Sequence, residues 1–522
     1  MNFISIFNDV LGPVMRGPSS SHTAGAHRIG LLVRALFGEL PDSVHFSFDR
    51  HGSMATTYEP LAVDRGLAAG LLGWDITDER FPKTLIHAKK QGISIDFSIT
   101  DLPDADHPNT MLIEMENKNG TSLTLLAKSI GGGAILFTRL NDWPINLDGK
   151  SYELIIEADK NVASKIIELL SNSAPPSEAF HQQERDKKSL ITGKFSDEIS
   201  DSILSQLHEF SPSVRYWYSS SVFYLERGEP LFTNAEEMIH FAEKNKYSLG
   251  DTARAYESQL LGLTETQIDR EMLQRFSVME ASVQQGFENR QVHMMLLEPT
   301  ARKIFDADSK SSVALGGIHT RTAARAMAAM HTSNSLGVVC AAPTAGSCGV
   351  LPGVLVTLKN EKHATESQII NSLFAASAVG LIIAQRATFA AEVAGCQVEI
   401  GAAGAMAAAA VVEWAGGSAQ QACDAAAIAL QNTMGSVCDP VQGTCEIPCH
   451  TRNATAASNA FLNADLILGG YQNPIPLDET IDASYQVGKS LPMELRCTAL
   501  GGIAVAPSAR SIKKSQRGKE KP

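Results

Sequence analysis

The sequence predicts an α+β chain, with an N-terminal α/β region to about residue 150 and an all-α region over 229–508. Two observations carry this expectation. Short runs rich in β-branched and aromatic residues, Val44–Phe48, Ile93–Ile99, Asn109–Glu116 and Thr121–Ser129, alternate with helical stretches in the first part. Beyond residue 229 Ala-rich helical text dominates, and residues 402–412 are nearly all Ala, Val and Met. A length of 522 residues leaves room for several cores.

Composition narrows the partners. A net charge of −13 and a pI of about 5.6 favour neither nucleic acid nor an anionic membrane. The apolar runs Leu373–Ala384 and Ala402–Val412 are each shorter than the roughly twenty residues a span needs, so buried helices are expected. All eight cysteines fall at or beyond Cys340, unlike a secreted disulfide framework. The first residues show neither a basic start nor a long apolar run, so a cytoplasmic protein with reduced thiols is expected.

Taken in order, the first feature is Gly17–Gly25, a proline followed by hydroxyls and His22 ahead of a helix to about Phe37. Such a helix start suits a carboxylate or serves as an ordinary cap. Gly52-Ser53-Met54-Ala55 turns into a helix over roughly 57–72. Ser129-Ile130-Gly131-Gly132-Gly133 gives a stretch where backbone can approach another surface. Residues 151–228 read as an insertion or linker: Tyr152–Ile156 and Asn161–Leu170 form a β-α start like that of an ACT-type regulatory fold, without a completed repeat. Residues 171–189, with Pro175-Pro176 and a charged run, read as an exposed linker. Thr233 with Glu236, and Thr264 with Gln267, mark helix starts. Thr344, Gly346 and Ser347 form a polar loop around Cys348, and the Lys/Arg-rich end (509–522) reads as a disordered tail.

The chemistry-bearing stretch is Cys396–Asn453. Cys438 and Cys449 stand 11 apart, and Cys396 lies 42 before Cys438. A helical excursion between them would let three thiols meet, each from the end of a different element. Three convergent thiolates suit an iron–sulfur cluster with one iron left open; inert core thiols would show the same spacing.

Gly395-Cys396-Gln397, Cys438-Asp439-Pro440-Val441, Pro448-Cys449 and Arg452-Asn453 resemble the catalytic half of the iron–sulfur-dependent L-serine dehydratases (L-serine ammonia-lyases). Gly17–Thr23, Gly52-Ser53 and Ser129–Gly133 resemble the β domain of the same family, itself similar to the allosteric substrate-binding domain of some phosphoglycerate dehydrogenases. The resemblance spans about residues 1–145 and 228–505. It implies a [4Fe–4S] cluster on Cys396, Cys438 and Cys449, no pyridoxal phosphate, and an amino-acid substrate; a homodimer is expected. It makes Ser19, Ser20, Ser21, Thr23, Ser53, Thr344, Gly346, Ser347, Arg452 and Asn453 substrate-binding candidates and His22 the candidate base. Two departures stand out: Leu61 and Val63 replace a His and a Thr of the family pattern, and residues 294–303 replace a Leu-Pro-Gly motif. They leave open a lyase for another β-substituted amino acid, or a serine-binding sensor without catalysis. Some members end in a cysteine that folds towards the cluster; Cys497 is the late thiol available for that here.

Overall fold

The computed structural model describes residues 3–211, 213–288 and 292–512. Its N-terminal part runs β1 (Val14–Arg16), α1 (Gly25–Phe37), β2 (Ser43–Asp49), α2 (Met54–Thr57), α3 (Val63–Leu71), α4 (Thr84–Lys90), β3 (Ser94–Thr100), β4 (Thr110–Glu116), β5 (Ser122–Gly131), β6 (Ala134–Leu140) and β7 (Trp143–Leu147). Strands β2–β7 form one sheet in the order β3-β2-β4-β5-β6-β7, with only β2–β3 parallel. The two-residue period of β2 and β4 puts Phe46, Phe48, Met111 and Ile113 into a core shared with α1 and α3. These two helices lie backbone to backbone. A Cβ at Gly70 would collide with the His27 carbonyl, and one at Gly30 with the Leu67 carbonyl. The close approach clamps the polar turn Ser20–Ala24, which opens α1, against the neighbouring α3.

Residues 152–219 build a complete βαββαβ unit rather than a partial one. It comprises β8 (Tyr152–Asp159), α5 (Lys160–Ser173), β9 (His181–Arg185), β10 (Lys188–Phe195), α6 (Asp201–Phe210) and β11 (Arg215–Ser219). The sheet order is β11-β8-β10-β9, antiparallel throughout. Strand β9 lies inside the stretch expected as a linker. It is an edge strand whose His-Gln-Gln-Glu-Arg side chains are mostly exposed, so no apolar alternation marks it. Leu154, Ile156 and Ala158 face the two helices, while Ile155, Leu190 and Trp217 join the core of the larger sheet. Trp143 Nε1 donates to Glu157 across this junction at 2.8 Å.

The rest is a helical body. It runs α7 (Ala235–Asn245), α8 (Leu249–Leu261), α9 (Glu265–Glu288), α10 (Ala301–Ser309), α11 (Ile318–Asn334), β12 (Val338–Cys340), α12 (Val350–Lys362), α13 (Glu366–Arg386), α14 (Ala391–Ala394), α15 (Ile400–Trp414), α16 (Ala419–Gln431), α17 (Cys449–Leu468), α18 (Leu477–Ser490) and α19 (Pro507–Ser511). The architecture is therefore α+β. The α7 cap lies one residue later than expected: Asn234 accepts from the Glu237 N–H, and Glu237 accepts from the Thr233 N–H. Two segments are long and apolar enough to cross a membrane by composition, Glu366–Arg386 and Cys396–Trp414. Of their most apolar stretches 78% and 89% is buried in the protein, which makes them interior helices. Ala402–Val412 is wholly buried, and its small side chains let α15 touch α13, α16 and α17 at once. Of the basic end, residues 513–522 lie outside the described residues, while Ala509 and Ile512 carbonyls accept from Gln442.

Three ties join the first residues to this body. Ile6, Phe7, Val10 and Leu11 are buried in the helical core. Glu257 of α8 accepts from Ser5 Oγ (2.6 Å), Ile6 N (2.8 Å) and Phe7 N (3.0 Å). Strand β1 pairs antiparallel with β12, Val14 facing Cys340. A fourth tie is the glycine triplet: Gly131, at φ +108°, leaves no room for a Cβ against Ala390. The Glu257→Ala variant leaves three buried donors unpaired, and a loss on the order of 3 kcal/mol is expected from equilibrium urea unfolding.

Candidate active site

The site forms on the seam between the six-stranded sheet and the helical body. From the N-terminal side, His22 is buried with Nδ1 3.1 Å from Ser19 Oγ and Nε2 3.2 Å from Ser53 Oγ. Ser53 Oγ donates to the Cys497 carbonyl at 2.9 Å. With that proton committed, Ser53 accepts from Nε2–H, and Nδ1 accepts from Ser19. Burial, then the neighbouring His107, brings His22 down to about 4, so its imidazole is neutral near pH 7. His107 is held at about 4 in the same way by burial and Lys128. Thr23 Oγ1 donates to the Leu61 carbonyl at 2.7 Å, so the position of the missing family His presents a buried apolar side chain and a committed carbonyl.

From the helical side, the Ala342–Gly349 loop comes to meet the Ser-rich turn: Ala345 N donates to Ser20 Oγ at 3.4 Å. Thr344 and Ser347 hydroxyls lie 3.0 Å apart and stitch this loop. Asn453 of α17 fixes it further, donating to the Gly346 and Cys449 carbonyls (both 2.9 Å) and accepting from Gly349 N (3.0 Å). Its amide is thus used within the protein.

The three expected ligand thiols are all buried, and the chain ties their segments together. Cys396 N donates to the Ser436 carbonyl at 2.9 Å; Cys438 N donates to Leu495 at 2.9 Å; Cys497 N donates to Cys438 at 2.8 Å. Cys449 sits at the start of α17. One cation addresses all three: Arg452 is raised above its ordinary value despite its burial, by Cys396, Asp439, Cys449 and Cys438. Its guanidinium also donates to the Val437 carbonyl (2.8 Å) and pairs with Asp439 at 3.0 Å.

Two further thiols stand beside these. The Cys497 thiol is hydrogen-bonded to Cys438, and with burial this pushes Cys438 well up; Cys445 is bonded to Cys449 and is raised likewise. Cys348 is a buried thiol against Met330, pushed by burial to about 12. Among the described residues no group of three or more His, Cys, Asp or Glu side chains closes around a single metal ion. A cluster, which takes each thiolate on a separate iron, asks for a wider cradle. A convergent, water-poor set of thiols facing an arginine fits that donor chemistry, because thiolate is soft and the cation offsets the charge brought in.

Sequence reasoning missed the acids of this site. Glu392 is buried, accepting from Asn109 and Ser21, and burial raises it. Glu399 is pushed by burial and by Glu392 to about 8, with a hydrogen bond from Thr344 pulling the other way. Gly346 lies against it, since a Cβ there would stand 3.2 Å from Glu399 Oε1. A carboxylate within an otherwise apolar helical stretch was the available signal. The replaced 294–303 stretch also has a place: its Met295, Leu296 and Leu297 N–H groups donate to Glu446 at 2.5–2.8 Å, buttressing the cysteine loop.

Buried thiols, a neutral histidine, two acids and one guanidinium thus gather at the seam, the kind of set from which enzyme active sites are built. A family model described as "Serine dehydratase alpha chain" matches residues 179–504, and the chain belongs to that family of lyases. It is 40% identical over 285 residues to the "Probable L-serine dehydratase, alpha chain" of Bacillus subtilis (strain 168), covering 54% of this chain and 95% of that protein. It is 38% identical over 213 residues to the corresponding "beta chain" of the same organism, covering 40% of this chain and 94% of that one. The "L-serine dehydratase 1" of Escherichia coli (strain K12) is 30% identical over 281 residues, covering 52% and 62%. One polypeptide here carries the likeness to both chains.

The bonding pattern sets the His22 tautomer. Nitrogen-detected NMR of the ring is expected to show a neutral Nε2–H imidazole from pH 8 down to about pH 5; an imidazolium already at pH 6.5 contradicts the buried arrangement.

Proposed function

We propose that the protein is an iron–sulfur L-serine ammonia-lyase, releasing pyruvate and ammonia from L-serine, with Cys396, Cys438 and Cys449 as cluster ligands. The observation that supports this most is the backbone bonding that ties Cys396 to Ser436, Cys438 to Leu495 and Cys497 to Cys438, with the Cys497 carbonyl in turn held by Ser53 beneath His22 and Arg452 favoured by the charge of the Cys396, Cys449 and Cys438 thiols. When bound, a [4Fe–4S] cluster with an open iron would supply a Lewis acid for the departing β-hydroxyl.

The remaining work falls to the chain. The hydroxyls of Ser19, Ser20, Ser21, Thr344 and Ser347 are assigned to the substrate carboxylate: Ser20 accepts from Ala345 and keeps its proton, while Ser19, Ser21 and Thr344 turn to the carboxylate from His22, Glu392 and Glu399. Thr23 and Ser53 hold the His22 turn in register through Leu61 and Cys497. Glu392 and Glu399 are placed to accept hydrogen bonds from the substrate ammonium, an interaction that favours their ionised forms. The lone pair of neutral His22 lies on Nδ1, where Ser19 donates; it takes the proton leaving Cα once the Ser19 hydroxyl turns to the substrate, and a carboxylate bound beside it raises its basicity. Arg452 and Asn453 act from behind, one holding the thiol segments and the other the 342–349 loop. Loss of hydroxide then gives aminoacrylate, which hydrolyses to pyruvate and ammonia. Ser53 and Thr56 donate to the Cys497 and Thr498 carbonyls, which holds this late segment over the His22 turn.

Leu61 favours a second reading, a lyase of the same architecture for another β-substituted amino acid, because the site lacks the family's second histidine. A panel of β-hydroxy and β-thiol amino acids separates the two.

Anaerobically reconstituted protein is expected to release pyruvate from L-serine and to lose turnover as air bleaches the cluster absorbance. Full iron retention in each of Cys396→Ala, Cys438→Ala and Cys449→Ala rejects the ligand assignment. His22→Gln is expected to lower kcat by about 100-fold or more with iron content unchanged; unaltered kcat removes it as the base.

A further inference from the structure

Away from the seam, a cavity of about 510 Å³ lies between edge strand β7 and the open face of the βαββαβ sheet. Its floor is apolar, formed by Ile145, Leu147 and Ile155, and its rim carries His181 and Thr192. Glu153 lines it. This side chain is 95% buried (5% exposed), and its Oε1 has no protein partner. Ser219, its register partner on β11, also carries a buried hydroxyl without a partner. Lys194 lies beside Glu153 on β10, but its ammonium is paired with Asp148 at 3.3 Å.

We propose that this cavity is a binding site for a small primary amine, whose ammonium is received by Glu153 and whose short alkyl body lies on Ile145, Leu147 and Ile155. At about 510 Å³ the cavity is several-fold larger than a molecule of a few carbons, so such an amine occupies the end beside Glu153 and leaves room for a longer alkyl body. The sign follows from the charges facing Glu153: Asp148 and Lys194 cancel one another, and Glu178 adds a negative charge at the mouth. An ionised Glu153 therefore gives a negative cavity that a cation neutralises, while an anionic ligand would be repelled. Burial pushes Glu153 up to about 8, against the pull of Lys194 and of the Asp148 and Gly149 N–H groups. The carboxyl is mostly protonated at pH 7, so an arriving ammonium expels that proton, and affinity rises with pH until about 8. Nothing in this site touches the cysteines, so it stands apart from the lyase reading.

The test is calorimetric titration of the full chain at pH 7 and pH 8.5 with butylamine, its neutral isostere 1-butanol, and the amino acid L-2-aminobutyrate. Expected is saturable butylamine binding that is tighter at pH 8.5 and weakened at least about tenfold by Glu153→Gln, which removes the charge and keeps the shape. Butanol is expected to bind no better to the wild type than to the variant. Binding of L-2-aminobutyrate that is equally sensitive to Glu153→Gln extends the ligand class to amino acids; insensitive binding confines the site to simple amines. Thr192→Tyr, which fills the cavity from a half-buried strand position, is a second variant expected to abolish binding should Glu153→Gln fail to fold. Butylamine heat that is absent at tens of millimolar, or unchanged in folded Glu153→Gln, overturns the proposal.

Discussion

Everything at the seam depends on how the first sixteen residues are held against the helical body. Glu257 takes the Ser5–Phe7 segment by three hydrogen bonds, Ile6 to Leu11 fill the helical core, and β1 pairs with β12. The chain then turns directly into Ser19–Thr23. The hydroxyl-rich turn is therefore positioned from both sides: by α3 behind it and by strand pairing ahead of it. Together with the Ser53–Cys497, Ser20–Ala345 and Asn109–Glu392 bonds, this docking fixes His22 relative to the thiol segments, and positioning within ångströms is what makes such groups act together.

The second organising feature is charge placed where water is scarce. Arg452 is the cation set among the buried thiols, with Glu392 and Glu399 both on the connection between α13 and α15. Each acid carries the cost of burial as a raised pKa, and each is partly compensated by a hydroxyl or amide from another segment. Such a set is poorly suited to stability alone and well suited to a ligand bearing both an ammonium and a carboxylate. The same logic recurs on a smaller scale at Glu153, where a buried carboxyl faces a cavity instead of a partner.

The βαββαβ unit has two faces of different character. Its helix-covered face is self-sufficient, with Leu154, Ile156, Ile166 and Leu207 in one cluster. The other face is shared, giving Ile155, Leu190 and Trp217 to the neighbouring core at one end and leaving a cavity at the other. The shared face thus contacts β7, which is joined through β6 and β5 to the glycine triplet whose Gly131 abuts Ala390.

The sequence by itself determined the α+β order, the strands Val44–Phe48 and Asn109–Glu116, and the interior helices around 373–384 and 402–412, because period and composition are local properties. It missed β9, whose polar edge residues carry no apolar alternation, and it took Asn453 for a ligand group when its amide is spent on the 342–349 loop. It also passed over Glu392, Glu399, His107 and Glu153. What a carboxyl or imidazole does depends on which surfaces close around it, and those surfaces come from segments hundreds of residues away. Only the tertiary structure decides that, since burial and hydrogen-bond partners, rather than residue type, set protonation and reach.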